Sequence, residues 1–172
     1  TGTSGVGFSW GDGDTGPVGS VSVATSGVPA GALVDDVNVT LQIDHSWVGD
    51  ITATLTGPNG VTVDLTNTNC GINDNIDVVF DAEAGNGIAC AAGATAGPHE
   101  DCPGDYLTFA TINNTVIPDG DLTQFYGSGG NGTWTLNLSD GVGGDGGCLA
   151  DGGFAVSVGW TLVGVGEPTI FE

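Results

Sequence analysis

Lysine and arginine are absent from all 172 residues, while 21 positions are Asp or Glu, giving a formal charge of −21 at neutral pH. An average domain is about 25% charged in both signs together, so the acids are ordinary in number and the bases are what is missing. Without cationic surface the chain cannot neutralise phosphates, which excludes nucleic acid as a direct partner and a polybasic membrane contact. Ion pairing inside the fold is limited to the α-amino group, His45 and His99. Methionine is absent too, and the chain opens at Thr1, as expected of a processed, exported protein. No apolar run reaches the ~18 residues of a membrane-spanning helix.

Catalytic signatures are equally scarce. There is no G-x-S-x-G elbow and no H-E-x-x-H zinc motif. With two histidines in the whole chain, a base for a nucleophile is hard to supply. His99-Glu100-Asp101-Cys102 reads as a polar loop beside a cysteine. The expectation is a non-enzyme.

Glycine is abundant, at 33 residues with 7 prolines, yet 39% of the chain is hydrophobic. That is enough for a core. The dominant pattern is alternation with period two: Val37-Val39-Leu41-Ile43, Ile51-Ala53-Leu55, Val61-Val63-Leu65, Ile76-Val78-Phe80-Ala82, Trp134-Leu136-Leu138 and Phe154-Val156-Val158-Trp160-Leu162. Runs of this kind bounded by Gly, Pro, Asn or Asp are strands with one buried face, and Gly57-Pro58-Asn59-Gly60 reads as a tight turn. About eight strands and no helical periodicity predict an all-β, jelly-roll-like β-sandwich. Residues 1–17 are expected to be a Gly-rich N-terminal extension, 18–163 the sandwich and 164–172 a C-terminal extension.

Cys70, Cys90, Cys102 and Cys148 fit no metal-ligand spacing, and an even count in an exported, loop-rich chain points to two disulfides. Of three possible pairings, Cys70–Cys90 with Cys102–Cys148 is favoured, because the first closes a local loop at a strand edge.

Excess Asp on Gly-rich turns suits calcium, which takes six to eight oxygen ligands. Alternation in 73–83 puts Asn75, Asp77, Asp81 and Glu83 opposite the apolar stripe, Asp140 and Asp145 flank a flexible turn, and Asp44 and Asp50 bracket His45 and Trp47. The candidate ligands are Asp50, Asp77, Asp81, Glu83, Asp140 and Asp145. At the chain ends, Phe8 and Trp10 alternate with small residues, and Ile170-Phe171 follows Pro168; either segment could complete an exposed sheet edge in a neighbouring copy.

His45-Ser-Trp-Val-Gly-Asp50, Leu55-Thr-Gly-Pro-Asn-Gly60, Phe80-Asp-Ala-Glu-Ala84, Gly132-Thr-Trp-Thr-Leu136 and Ser139-Asp140 followed by Gly144-Asp145 resemble, in order and spacing, the P domain (P/Homo B domain) of proprotein convertases. The resemblance spans about residues 18–163. It implies a jelly-roll sandwich, found in that family after a subtilisin-like catalytic domain that it stabilises; bacterial relatives occur in secreted proteins, some binding calcium. The family's catalytic triad has no counterpart here. The leading expectation is a non-catalytic, extracellular, calcium-stabilised module that self-assembles into a surface layer or filament. The alternatives are a P domain stabilising a secreted subtilisin-like protease, and a carbohydrate-binding or adhesive module using Trp47 or Trp10.

Overall fold

In a computed structural model, residues 1–3, 7–90 and 112–162 are described. Cys102, Ile170 and Phe171 lie outside them. Ten strands run in chain order: β1 (Gly2–Thr3), β2 (Phe8–Trp10), β3 (Gly16–Thr25), β4 (Ala32–His45), β5 (Ile51–Thr56), β6 (Thr62–Asn67), β7 (Ile76–Asp81), β8 (Ile112–Val116), β9 (Gly132–Asp140) and β10 (Gly147–Leu162). Single 3₁₀ turns, Val48–Asp50 and Leu122–Phe125, interrupt them.

The strands form two sheets. The larger runs β1-β10-β4-β7-β8, with β2 also pairing with β10; the smaller runs β3-β9-β5-β6. All pairs are antiparallel except β7–β8. The predicted sandwich is therefore present, and its cause is visible residue by residue. Val37, Val39, Leu41 and Ile43 on β4 face Trp134, Leu136 and Leu138 on β9 across the core, all buried. Their polar neighbours in sequence point outward, as a pleat with period two requires. Phe125 meets Trp134 edge-on at 4.9 Å between ring centres, and the Trp134 indole N–H donates to Thr25 Oγ1 at 3.0 Å, so the largest buried ring keeps a polar partner. The Gly57–Gly60 turn forms as predicted, with Gly60 N–H donating to Gly57 O at 3.0 Å and Gly60 at φ +79°.

One expectation is corrected. Residues 1–17 are not an extension beyond the sandwich: β1 and β2 both pair with β10 of the same chain, Gly2 opposite Val156 and Trp10 opposite Gly147. Phe8 packs on the core and Trp10 is buried in it, so neither is available as a donated strand or as an exposed sugar platform. The physical reason is glycine. A side chain at Gly7 would collide with the backbone oxygens of Leu149 and Ala150, so the residues that hide the alternation in the sequence are the ones that let this segment lie against β10.

Candidate functional site

Alternation does not stop at the last apolar residue of a strand. On β4 the inward positions continue Leu41, Ile43, His45; on β9 they continue Leu136, Leu138, Asp140. His45 and Asp140 are accordingly both buried and meet at one end of the core, Nε2 to Oδ2, at 3.2 Å. The Trp47 amide N–H donates to His45 Nδ1 at 3.1 Å, which leaves the ring proton on Nε2 and makes Asp140 its acceptor. Asp140 also accepts from the Trp10 indole N–H at 3.0 Å and from the Val142 amide at 3.1 Å. The rings of Trp10 and His45 stack 5.9 Å apart over Gly147, where a Cβ would stand 2.6 Å from the imidazole. Three strands and a turn are thus tied to one carboxylate.

Chemically this knot is saturated. His45 has both nitrogens engaged, and the neighbouring Ser46 Oγ donates to Asp145 Oδ2 at 3.2 Å instead of to the imidazole. No nucleophile–base pair results. Asp140 has donors on both oxygens and acts as a structural acceptor. Above it lie Asp145, 3.7 Å from His45 Nδ1, and Asp50. Burial pushes the Asp50 pKa up, with Asp145 and Asp140 adding to the shift and His45 opposing it.

A second acidic cluster forms where β4 and β7 run side by side. Asp36, Asp81 and Glu83 bring one ligand atom each within 4.8 Å of the others, the one such group of three among the described residues. Asp36 sits where β4 shifts register against β10, Gly159 pairing with Asp36 and Trp160 with Val34; that bulge turns a carboxylate toward the end of β7. Asp81 Oδ1 accepts the Glu83 amide at 2.7 Å, Asn38 Nδ2 donates to Asp36 Oδ2 at 2.8 Å, and the Tyr126 hydroxyl donates to Glu83 Oε1 at 2.8 Å. Asp36 Oδ1 is buried with no hydrogen bond of good geometry. Its pKa is raised by burial first, then by Glu83, Asp81 and Asp35, against the opposing Val37 amide. Burial and the bond to Glu83 likewise push the Tyr126 phenol up.

The six predicted ligands therefore separate. Asp81 and Glu83 come together, joined by Asp36, which the alternation reading missed because a bulge breaks the period at Asp35-Asp36. Asp77 stands apart, accepting from Gln42 Nε2 at 3.1 Å across β4 and β7. Asp50, Asp140 and Asp145 are neighbours but do not bring one carboxylate oxygen each within 4.8 Å of the others. Asn75 turns inward and accepts the His45 amide N–H at 2.7 Å. The Cys70–Cys90 disulfide is present, and Cys148 is disulfide-bonded.

The segment carrying His45, Asp50 and the whole Asp36–Asp81–Glu83 cluster is also where a family match falls. Residues 34–89 match the proprotein convertase P-domain. The resemblance read from the sequence motifs is thus supported over residues 34–89, and β9, which carries the Gly-Thr-Trp-Thr-Leu motif, pairs directly with β5 inside that span. P domains are non-catalytic accessory domains that associate in their family with a catalytic protease domain and are secreted or extracellular. A disulfide accords with that compartment, and no helix among the described residues is long and apolar enough to cross a membrane. Comparison with curated proteins gave no match.

Proposed function

We propose that this chain is a non-catalytic extracellular module of P-domain type, braced by calcium and working by packing against another protein surface. The convergence of Asp36, Asp81 and Glu83 in a chain with no Lys or Arg carries the reading. Three carboxylates this close repel one another, no internal ammonium or guanidinium exists to offset them, and Asp36 Oδ1 is a buried acceptor still lacking a donor. A hard cation with oxygen ligands answers all three conditions. Asp36, Asp81 and Glu83 would hold it, and its charge would pin β4 to the turn after β7.

Thermal melting tests this. An ion that binds only the folded state at about 100 times its Kd adds roughly 2.7 kcal/mol, or on the order of 5–10 °C for a domain of this size. Chelation should lower Tm by that much, calcium should restore it, and magnesium should do so poorly. Asp81→Ala with Glu83→Ala should abolish the response. Identical melting in chelator and calcium at fixed ionic strength overturns the proposal.

Self-assembly remains a second reading, and one observation favours it. Past Val156, no strand among the described residues pairs with β10 on the side away from β4. There the inward stripe runs on into solvent, with Trp160 41% and Leu162 57% exposed. A short apolar strand from a second copy fits such an edge, and Thr169-Ile170-Phe171 is the remaining candidate donor. Head-to-tail donation yields a filament. Deleting residues 167–172 should then abolish polymers seen by electron microscopy while leaving Tm unchanged; full-length chain that stays monomeric in calcium at high concentration removes this reading.

A further inference from the structure

At the opposite end of β10 from that edge, the turn after His45 and the glycine loop after Asp140 enclose an open cleft of about 520 Å³, lined by Ser46, Trp47, Asp50, Val142, Gly144 and Asp145. Trp47 and Val142 give it apolar surface, and Asp50 and Asp145 give it carboxylates. Trp47 is 40% exposed and Val142 55%, although Val48 next in the chain is wholly buried; the indole is kept in water while its neighbour is not. Asp145 is held in place by the Ser46 hydroxyl, and Asp50 lies near enough for the two carboxylates to feel each other.

A metal ion is a poor fit here. Asp50, Asp140 and Asp145 do not bring three ligand atoms within 4.8 Å of one another, and Asp140 already accepts from Trp10, His45 and Val142. A polyatomic cation needs no such cage. It needs an aromatic face to stack on and carboxylates beside that face to receive its N–H groups, in a cavity the size of a side chain. Planar guanidinium meets both demands better than ammonium does. The chain itself holds no Lys or Arg to fill the cleft.

We infer that the cleft between Trp47, Asp50 and Asp145 receives an arginine side chain of a different protein, its guanidinium stacked on Trp47 and bonded to the two carboxylates. A second copy of this chain cannot be that partner, having no such residue. The inference rests on the reading of the chain as a packing module, and extends it by naming the partner's chemistry.

The test is a titration of the full chain with acetyl-arginine amide at low ionic strength, following the Trp47 indole N–H by NMR. Acetyl-citrulline amide, equal in shape and uncharged, is the control. Saturable shifts of the Trp47 resonance are expected with arginine, weakened about tenfold by Asp50→Asn or Asp145→Asn. Citrulline should bind at least about tenfold more weakly. Equal binding of citrulline, an equal response to N-acetylglucosamine, or displacement of the arginine probe by calcium through Asp50 and Asp145 would each overturn the inference. Asn variants that melt like the parent chain and bind arginine undiminished would do so as well. Because this readout is a titration and the calcium test is a melt, failure of either leaves the other standing.

Discussion

Asp140 and Asp36 are both strand carboxylates, and they do opposite things to the fold. Asp140 accepts from three donors on three different segments. Asp140→Ala would strand an indole N–H and an imidazole N–H in the core, at about 1–3 kcal/mol for each buried group left unpaired, and would also release the part-buried Val142 amide. A loss of about 3 kcal/mol or more in urea denaturation is expected, and a loss below about 1 kcal/mol contradicts the knot. Asp36, by contrast, is strained by its neighbours. Asp36 and Asp50 both have native pKa values raised above the ordinary 3.8, by burial first and by nearby carboxylates second. A raised native pKa means that the folded chain holds the proton more tightly than the unfolded chain does. Stability of calcium-depleted protein should therefore rise as pH falls from neutral through the raised values, and level off below the ordinary carboxylate value. With calcium bound the slope should invert, since the ion needs the acids ionised. Melting curves from neutral pH to about pH 4, with and without calcium, read both signs. Asp140 and His45 read in the sequence as turn residues, although each continues by one step the alternation that ends at Leu138 and Ile43. Asp36 was not legible at all, because register at a bulge is set by the partner strand.

At the scale of elements, the alternating runs became β4, β5, β6, β7, β9 and β10, because each has one face to bury and β-branched or aromatic residues to bury with it. β1 leaves no periodic mark, and β2, whose Phe8 and Trp10 do alternate, reads in the sequence as a strand for a neighbouring copy's edge, whereas it pairs with β10 of its own chain. The distinction has a measurable result. Removing residues 1–11 strips Trp10 from the core, and a large aromatic deletion of this kind costs about 3–5 kcal/mol; the shortened chain should melt far earlier, whatever its state of assembly. Trp10→Ala should reproduce most of that loss. The Cys70–Cys90 bridge closes a loop of 20 residues between β6 and the segment after β7, and replacing both cysteines by Ala should lower stability by about 3 kcal/mol, read by denaturant midpoint at constant m-value.

For the whole molecule, the missing bases set the terms of association. Two copies at −21 each repel at long range, so any self-contact has to be short-ranged and apolar, as at Trp160 and Leu162, or bridged by cations. Association between copies should strengthen with added salt, which screens that repulsion, whereas docking of a basic partner at Trp47 should weaken. Sedimentation across a salt series separates the two. The structure also bears on time. β10 contributes its backbone to β1, β2 and β4 at once, and it is the last strand among the described residues. During synthesis residues 2 and 10 must wait for residues 156 and 147, so the N-terminal edge of the larger sheet cannot close until β10 has been made. Contacts that distant in sequence place refolding in the millisecond-to-second range, and make completion of the larger sheet an event that β10 triggers.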